Sequence, residues 1–123
     1  MKYIFLVDDS ITIRTSIQFT VKKLGWEVQE AENGSDALKK IEELKRTGHE
    51  IALYITDVNM PVMDGITFVK ELRKKDRFTP VLFLTTESDN GTIQAGKEAG
   101  ASGWLIKPFK SEQLINVVNR LIK

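Results

Sequence analysis

Three aspartates, a pair of threonines and a lysine stand at points of the chain where an apolar run stops. Asp8 and Asp9 follow Tyr3-Ile4-Phe5-Leu6-Val7. Asp57 follows Ile51-Ala52-Leu53-Tyr54-Ile55-Thr56, Thr85-Thr86-Glu87 follows Pro80 to Leu84, and Lys107-Pro108 follows Gly103 to Ile106. Three carboxylates brought together repel, at about 4 kcal/mol per pair for unit charges 4 Å apart in an effective dielectric near 20. They coexist if protonated, if spread apart, or if a hard cation sits among them. Few carboxylates, a backbone carbonyl and several waters suit Mg²⁺ better than a full calcium cage. A metal, an amine and a hydroxyl around one carboxylate fit chemistry on a phosphoryl group. The cation and Lys107 would neutralise the phosphoryl oxygens, the Thr85 hydroxyl would donate to one of them, and Asp57 would attack phosphorus. Taken singly, each residue has a plainer use. Asp57 suits a turn, Asp8-Asp9-Ser10 suit a helix cap, and Lys107-Pro108 suits a turn. Their common position on strand ends is what sets them apart.

The elements that must position them follow from periodicity. Residues 3–7 and 51–57 are solid apolar runs, as expected of strands buried on both faces. Residues 26–31, 80–84 and 103–106 complete five predicted strands. Between them run helical patterns at 11–24 (Ile13, Ile17, Val21 and Leu24, stopped by Gly25), 35–47 (Ala37, Ile41 and Leu44), after the Asp64-Gly65 turn (Ile66, Val69 and Leu72), 89–99 and 111–122 (Leu114, Val118 and Leu121). Strict alternation with short connections predicts a three-layer α/β domain, a parallel five-stranded sheet with helices on both faces. Ligands in such sheets bind beyond the carboxyl ends of the strands, where strand order reverses. The helix at 89–99 is predicted to be the weakest, because Gly91 and Gly96 each cost about 1 kcal/mol relative to Ala. It is therefore the element expected to reshape.

At 123 residues the chain is one domain by length, and its 41% hydrophobic and 28% charged composition is that of a globular protein. A net charge of +1 with no long basic run gives no pull toward nucleic acid. With no cysteine, disulfides, thiolate chemistry and Cys-based zinc sites are excluded. No apolar stretch reaches membrane-spanning length and the amino terminus lacks a signal-peptide pattern, so a cytoplasmic location is expected. The single His49 is expected in solvent at the end of the second helix.

Val7-Asp8-Asp9-Ser10, Ile55-Thr56-Asp57 with Met60-Pro61-Val62-Met63-Asp64-Gly65, Leu84-Thr85-Thr86 and Gly103-Trp104-Leu105-Ile106-Lys107-Pro108-Phe109 resemble, in order and over the whole chain, the signatures of bacterial response-regulator receiver domains. Thr85-Thr86-Glu87 and Ala99-Gly100-Ala101-Ser102-Gly103 are most similar to the stand-alone chemotaxis regulators of that family. The resemblance implies a doubly wound, flavodoxin-like (βα)5 fold of strand order 2-1-3-4-5. It implies Asp57 as phosphoacceptor for a histidine kinase and Mg²⁺ held by Asp9, Asp57 and the Asn59 backbone carbonyl, with Asp8 acting through water. Thr85 and Lys107 would bind the phosphoryl group, Lys107-Pro108 would be cis, and Asn59 and Glu87 would tune dephosphorylation. The domain would assist its own phosphorylation and dephosphorylation without being an enzyme on a separate substrate. Trp104 departs from the family, whose switch position three residues before the lysine is commonly Tyr or Phe. A Trp needs more room and a partner for its N–H.

An apolar patch is expected on the last helix-strand-helix face, from Ile93, Trp104, Ile106 and Val117, bordered by Lys97, Lys110 and Arg120. Patches of this kind bind partners. The leading expectation is a monomeric signalling switch, residues 1–123 forming a single receiver domain without an output domain. Its expected partners are a kinase, a downstream target such as a flagellar motor switch, and a phosphatase. A phosphorelay intermediate passing its phosphoryl group to a histidine phosphotransfer protein is the nearest alternative. An aspartate-nucleophile phosphatase would need a second acid two residues after Asp57, where Asn59 stands, and a flavin carrier would find its phosphate repelled by Asp8 and Asp9.

Overall fold

The computed structural model describes residues 2–86 and 90–122. Strands and helices alternate: β1 (Lys2–Val7), α1 (Ile11–Lys23), β2 (Glu27–Ala31), α2 (Gly34–Arg46), β3 (Glu50–Asp57), α3 (Gly65–Arg73), β4 (Val81–Thr85), α4 (Asn90–Ala99), β5 (Gly103–Ile106) and α5 (Ser111–Leu121). All strand pairs are parallel and the order is β2-β1-β3-β4-β5, the doubly wound, flavodoxin-like topology the resemblance implies. The order reverses between β1 and β3, whose last residues, Val7 and Thr56, lie opposite each other. The acids that follow them are thereby set at the switch point of the sheet.

Both faces of the sheet are covered, and the strand alternation sorts the core. Phe5, Val7, Tyr54 and Phe83 pack with α2, α3 and α4 residues such as Ile41, Phe68, Leu72 and Ala99. Ile4, Leu6, Leu53, Ile55, Leu82 and Leu84 pack with Ile17 and Val21 of α1 and Leu114 and Val118 of α5. Burial of β1, β3 and β4 on both sides explains their unbroken apolar runs. Element ends lie within a residue or two of the predicted ones. The fourth strand begins after Pro80, which has no N–H to donate; its carbonyl accepts from the Tyr54 amide at 3.0 Å. His49 departs from expectation. It is half-buried against Tyr3, ring centroids 5.5 Å apart, because the chain turns at Gly48 back under the sheet.

At the end of the sheet opposite the acids, Asp76 ties three elements together. Its Oδ2 accepts from the Tyr54 hydroxyl at 3.2 Å and from Lys45 Nζ at 3.0 Å, and its Oδ1 accepts from the Phe78 and Thr79 amides. Burial alone would raise its pKa, but the Thr79 hydroxyl and amide and the Lys45 ammonium outweigh that and hold it well below the ordinary carboxylate range. Burial beside this carboxylate pushes the Tyr54 hydroxyl up, so it stays a donor. A depressed carboxyl pKa contributes stability above the unfolded value of 3.8 and loses it as pH falls further. Asp76→Asn should therefore cost about 1–3 kcal/mol in denaturant unfolding at neutral pH, with the difference from wild type narrowing in acid.

Candidate phosphoryl-transfer site

The oxygens of Asp8, Asp9 and Asp57 converge to within 4.8 Å of one another. Each arrives by a different local device. Asp8, buried at the end of β1, accepts from the Ser10 amide through Oδ1 at 2.9 Å and faces Lys107 with Oδ2. Ser10, not an aspartate, caps α1, its hydroxyl accepting from the Ile13 amide at 3.3 Å. Asp9 is left exposed at the mouth. Asp57 is half-buried, and its Oδ1 accepts from the Val58 amide at 2.7 Å.

Lys107 reaches in from the end of β5. Its Nζ lies 3.0 Å from Asp8 Oδ2 and 3.4 Å from Asp57 Oδ2, and its backbone amide donates to the Thr85 carbonyl at 2.8 Å. The Lys107-Pro108 peptide is cis. Thr85 is fully buried at the end of β4, opposite Ile106 in register, which brings its residue to the same edge as Lys107. Among the described residues one ammonium pairs with two of the three clustered carboxylates, so the cluster is short of positive charge. Burial pushes the Asp57 pKa up; Lys107 pulls it down, and the Asp8 charge pushes it up again. A hard-oxygen donor set with one exposed member fits Mg²⁺, which keeps several waters and takes one or two carboxylates from its host.

The loop from Asp57 to α3 is tightly specified. The Gly65 amide donates to the Val58 carbonyl at 2.8 Å, and a Cβ on Gly65 would fall 1.9 Å from the Asp57 carbonyl oxygen. Any side chain there would displace the strand end that carries Asp57. Asp64 caps α3, accepting from the Thr67 amide at 2.7 Å. Between them Val62 has φ of 70° while the Met63 amide donates to the Pro61 carbonyl at 2.8 Å, a strained three-residue turn. A β-branched residue in this region costs about 1–2 kcal/mol.

Two further arrangements bear on the site and its surroundings. Arg14 is buried on the inward side of α1, donating to the Asp8 carbonyl and, through Nε, to Glu30 at 3.0 Å. It holds the backbone of Asp8. Val117, expected on the open face, is buried with Leu114 and Val118, because positions 114, 117, 118 and 121 form one stripe that the sheet consumes. Of the remaining predicted surface, Lys97, Ile106, Lys110 and Arg120 are exposed and Ile93 is half-buried. Trp104 is half-buried against Phe83, ring centroids 5.3 Å apart. Asn59 is exposed beside the site, and Glu87 lies outside the described residues.

A doubly wound sheet thus carries three carboxylates and a lysine beside its switch point. The chain belongs to the response regulator receiver domain family, whose model matches residues 4–119. It is therefore a receiver of the two-component signalling class. It is 36% identical over 114 residues to the chemotaxis protein CheY1 of Helicobacter pylori, covering 90% of this chain and 89% of that one. It is 35% identical over 126 residues to the chemotaxis protein CheV3 of the same organism, covering 97% of this chain and 40% of CheV3. The solved structure of CheY4 of Vibrio cholerae superposes with a TM-score of 0.89 at 42% identity, covering 99% of both chains.

A carboxyl pKa raised by folding means that the native state binds the proton more tightly than the unfolded chain. Stability is then lost as pH rises from the unfolded value of 3.8 through the raised native value. Asp57→Asn should thus raise Tm by a few degrees at neutral pH and give no gain below pH 3.8, as read by thermal unfolding across pH.

Proposed function

We propose that this receiver is phosphorylated on Asp57 by a histidine kinase in an Mg²⁺-dependent reaction, and that the modification changes binding of a protein partner at the α4–β5–α5 face. The observation that carries the proposal is the single half-buried carboxylate flanked by two others and met by Lys107 at 3.4 Å. An Asp57 oxygen attacks phosphorus, the P–N bond to the donor imidazole breaks, and the electron pair leaves with the imidazole nitrogen. The product is an acyl phosphate on Asp57.

The Lys107 ammonium, shared between Asp8 and Asp57 before reaction, then balances the added phosphoryl charge. Thr85, at the end of the neighbouring strand, supplies a hydroxyl to a phosphoryl oxygen. Asp8, Asp9, Asp57 and the Asn59 carbonyl would hold Mg²⁺, which supplies charge neutralisation of the phosphoryl oxygens when bound. Attack needs the ionised carboxylate, which a bound cation would favour over the protonated form. Water later removes the phosphoryl group, at a rate that the family resemblance implies Asn59 and Glu87 would tune. The chain turns over no separate substrate.

Similarity to CheY1 of Helicobacter pylori and CheY4 of Vibrio cholerae supports control of chemotaxis as the pathway. A flagellar motor protein as the target and a phosphatase that resets the signal are what the family resemblance implies. The exposure of Ile106, and of Lys97, Lys110 and Arg120 on the neighbouring elements, supports that face as the contact and suits a partner with apolar and acidic groups. The switch acts as a monomer.

The test is mass spectrometry after treatment with a small phosphodonor. Wild type with Mg²⁺ should gain one phosphoryl group, labile to hydroxylamine. Chelation of the metal or Asp57→Asn should abolish the gain. Equal labelling of Asp57→Asn would refute the assignment.

A further inference from the structure

Gly96 sits in the interior of α4, where glycine is a poor choice for a helix, and it is buried. Its reason lies across the interface in β5. A Cβ built on Gly96 would fall 2.5 Å from Trp104 Cζ3, 3.3 Å from Cη2 and 3.4 Å from Phe83 Cδ2. The first distance is closer than carbon atoms approach, and the atom met is the edge of a rigid bicyclic ring, not the end of a flexible chain. That ring cannot slide deeper, because Phe83, opposite Trp104 in the strand register, already lies against it. The helix backbone at Gly96 therefore acts as the wall of a slot cut to the width of an indole.

The indole is held there at a cost. Its Nε1 is buried and has no hydrogen-bond partner among the described residues, and a buried donor without a partner favours any conformation that returns it to water. Trp104 thus has two opposed tendencies: apolar contact with Phe83 and α4 draws the ring in, and the unsatisfied N–H favours its release. Position 96 decides between them, since one methyl group removes the space the ring occupies.

We propose that Gly96 is the positioning residue of Trp104: its missing side chain forms the slot that keeps the indole beneath α4, and one carbon added there drives the ring out onto the α4–β5 surface. The consequence for partner binding rests on the proposed function of that surface, whereas the ring's position does not. The pairing is specific to this chain's bulkier aromatic, so an alanine at 96 is compatible with a smaller ring at 104 and incompatible with the indole.

The experiment uses the full chain with Trp26→Phe, which leaves Trp104 as the sole tryptophan of the two in the sequence. Adding Gly96→Ala should shift Trp104 emission to the red and raise its quenching by iodide several-fold. Gly96→Ala should lower Tm when Trp104 is present but raise it in a Trp104→Ala background, where the better helix former meets no obstacle. Trp104→Phe combined with Gly96→Ala should recover most of the lost Tm. Unchanged emission and quenching in Gly96→Ala would overturn the proposal, as would a fall in Tm of equal size in both backgrounds. None of these readouts requires phosphorylation. Failure of the wild-type chain to label on Asp57 would count against the proposed function while leaving the ring's assignment standing.

Discussion

The Lys107 ammonium, lying between Asp8 and Asp57, is the interaction on which the site depends. It joins β5 to β1 and β3 across the end of the sheet, bridging two of the three clustered carboxylates. Removing one partner from such a group leaves the others desolvated and unbalanced, which costs far more than the net worth of the pair. The arrangement is consequently poised. It has enough positive charge to keep the carboxylates together and too little to satisfy them, a setting whose hard-oxygen donors fit a cation.

The surrounding structure bears the strain of that arrangement. Arg14 fixes the Asp8 backbone from beneath, Gly65 lets the start of α3 approach the Asp57 carbonyl, and Val62 accepts an unfavourable φ so that the loop can turn back. At the far end of the sheet Asp76 ties α2, β3 and the α3–β4 connection, well away from the acids. Rigid packing on both faces of the sheet is what allows the charged edge to be under stress without the strands separating. The α4–β5 side differs in kind. There a helix-interior glycine and a buried, unsatisfied indole N–H mark a region where small changes move a large side chain.

The strand ends were legible in the sequence because parallel strands buried on both faces are unbroken apolar runs, and an acid, hydroxyl or amine at the end of such a run stands out. Asp8, Asp9, Asp57 and Thr85 stand out that way, and Lys107 stands at the end of the shorter, half-buried edge strand β5. Periodicity places Val117 in the i, i+3, i+4, i+7 stripe of α5 with Leu114, Val118 and Leu121, but it does not tell how much of that stripe the sheet covers and how much is left open. Arg14 and Asp76 escaped because a charge in an amphipathic helix or a loop normally faces water, and only three-dimensional neighbours reveal otherwise. Gly96 read as a flaw in a helix. Its reason is a ring eight residues away on another element, a relation no local pattern carries.

The central claim is that folding holds the Asp57 carboxyl in a partly buried, negatively charged setting that a divalent cation relieves. Site-specific carbon-13 NMR titration of that carboxyl measures it directly. The account predicts a pKa above the ordinary 3.8 in the absence of divalent ions and a marked fall when Mg²⁺ is added. A value at or below 3.8 that Mg²⁺ leaves unchanged would contradict it.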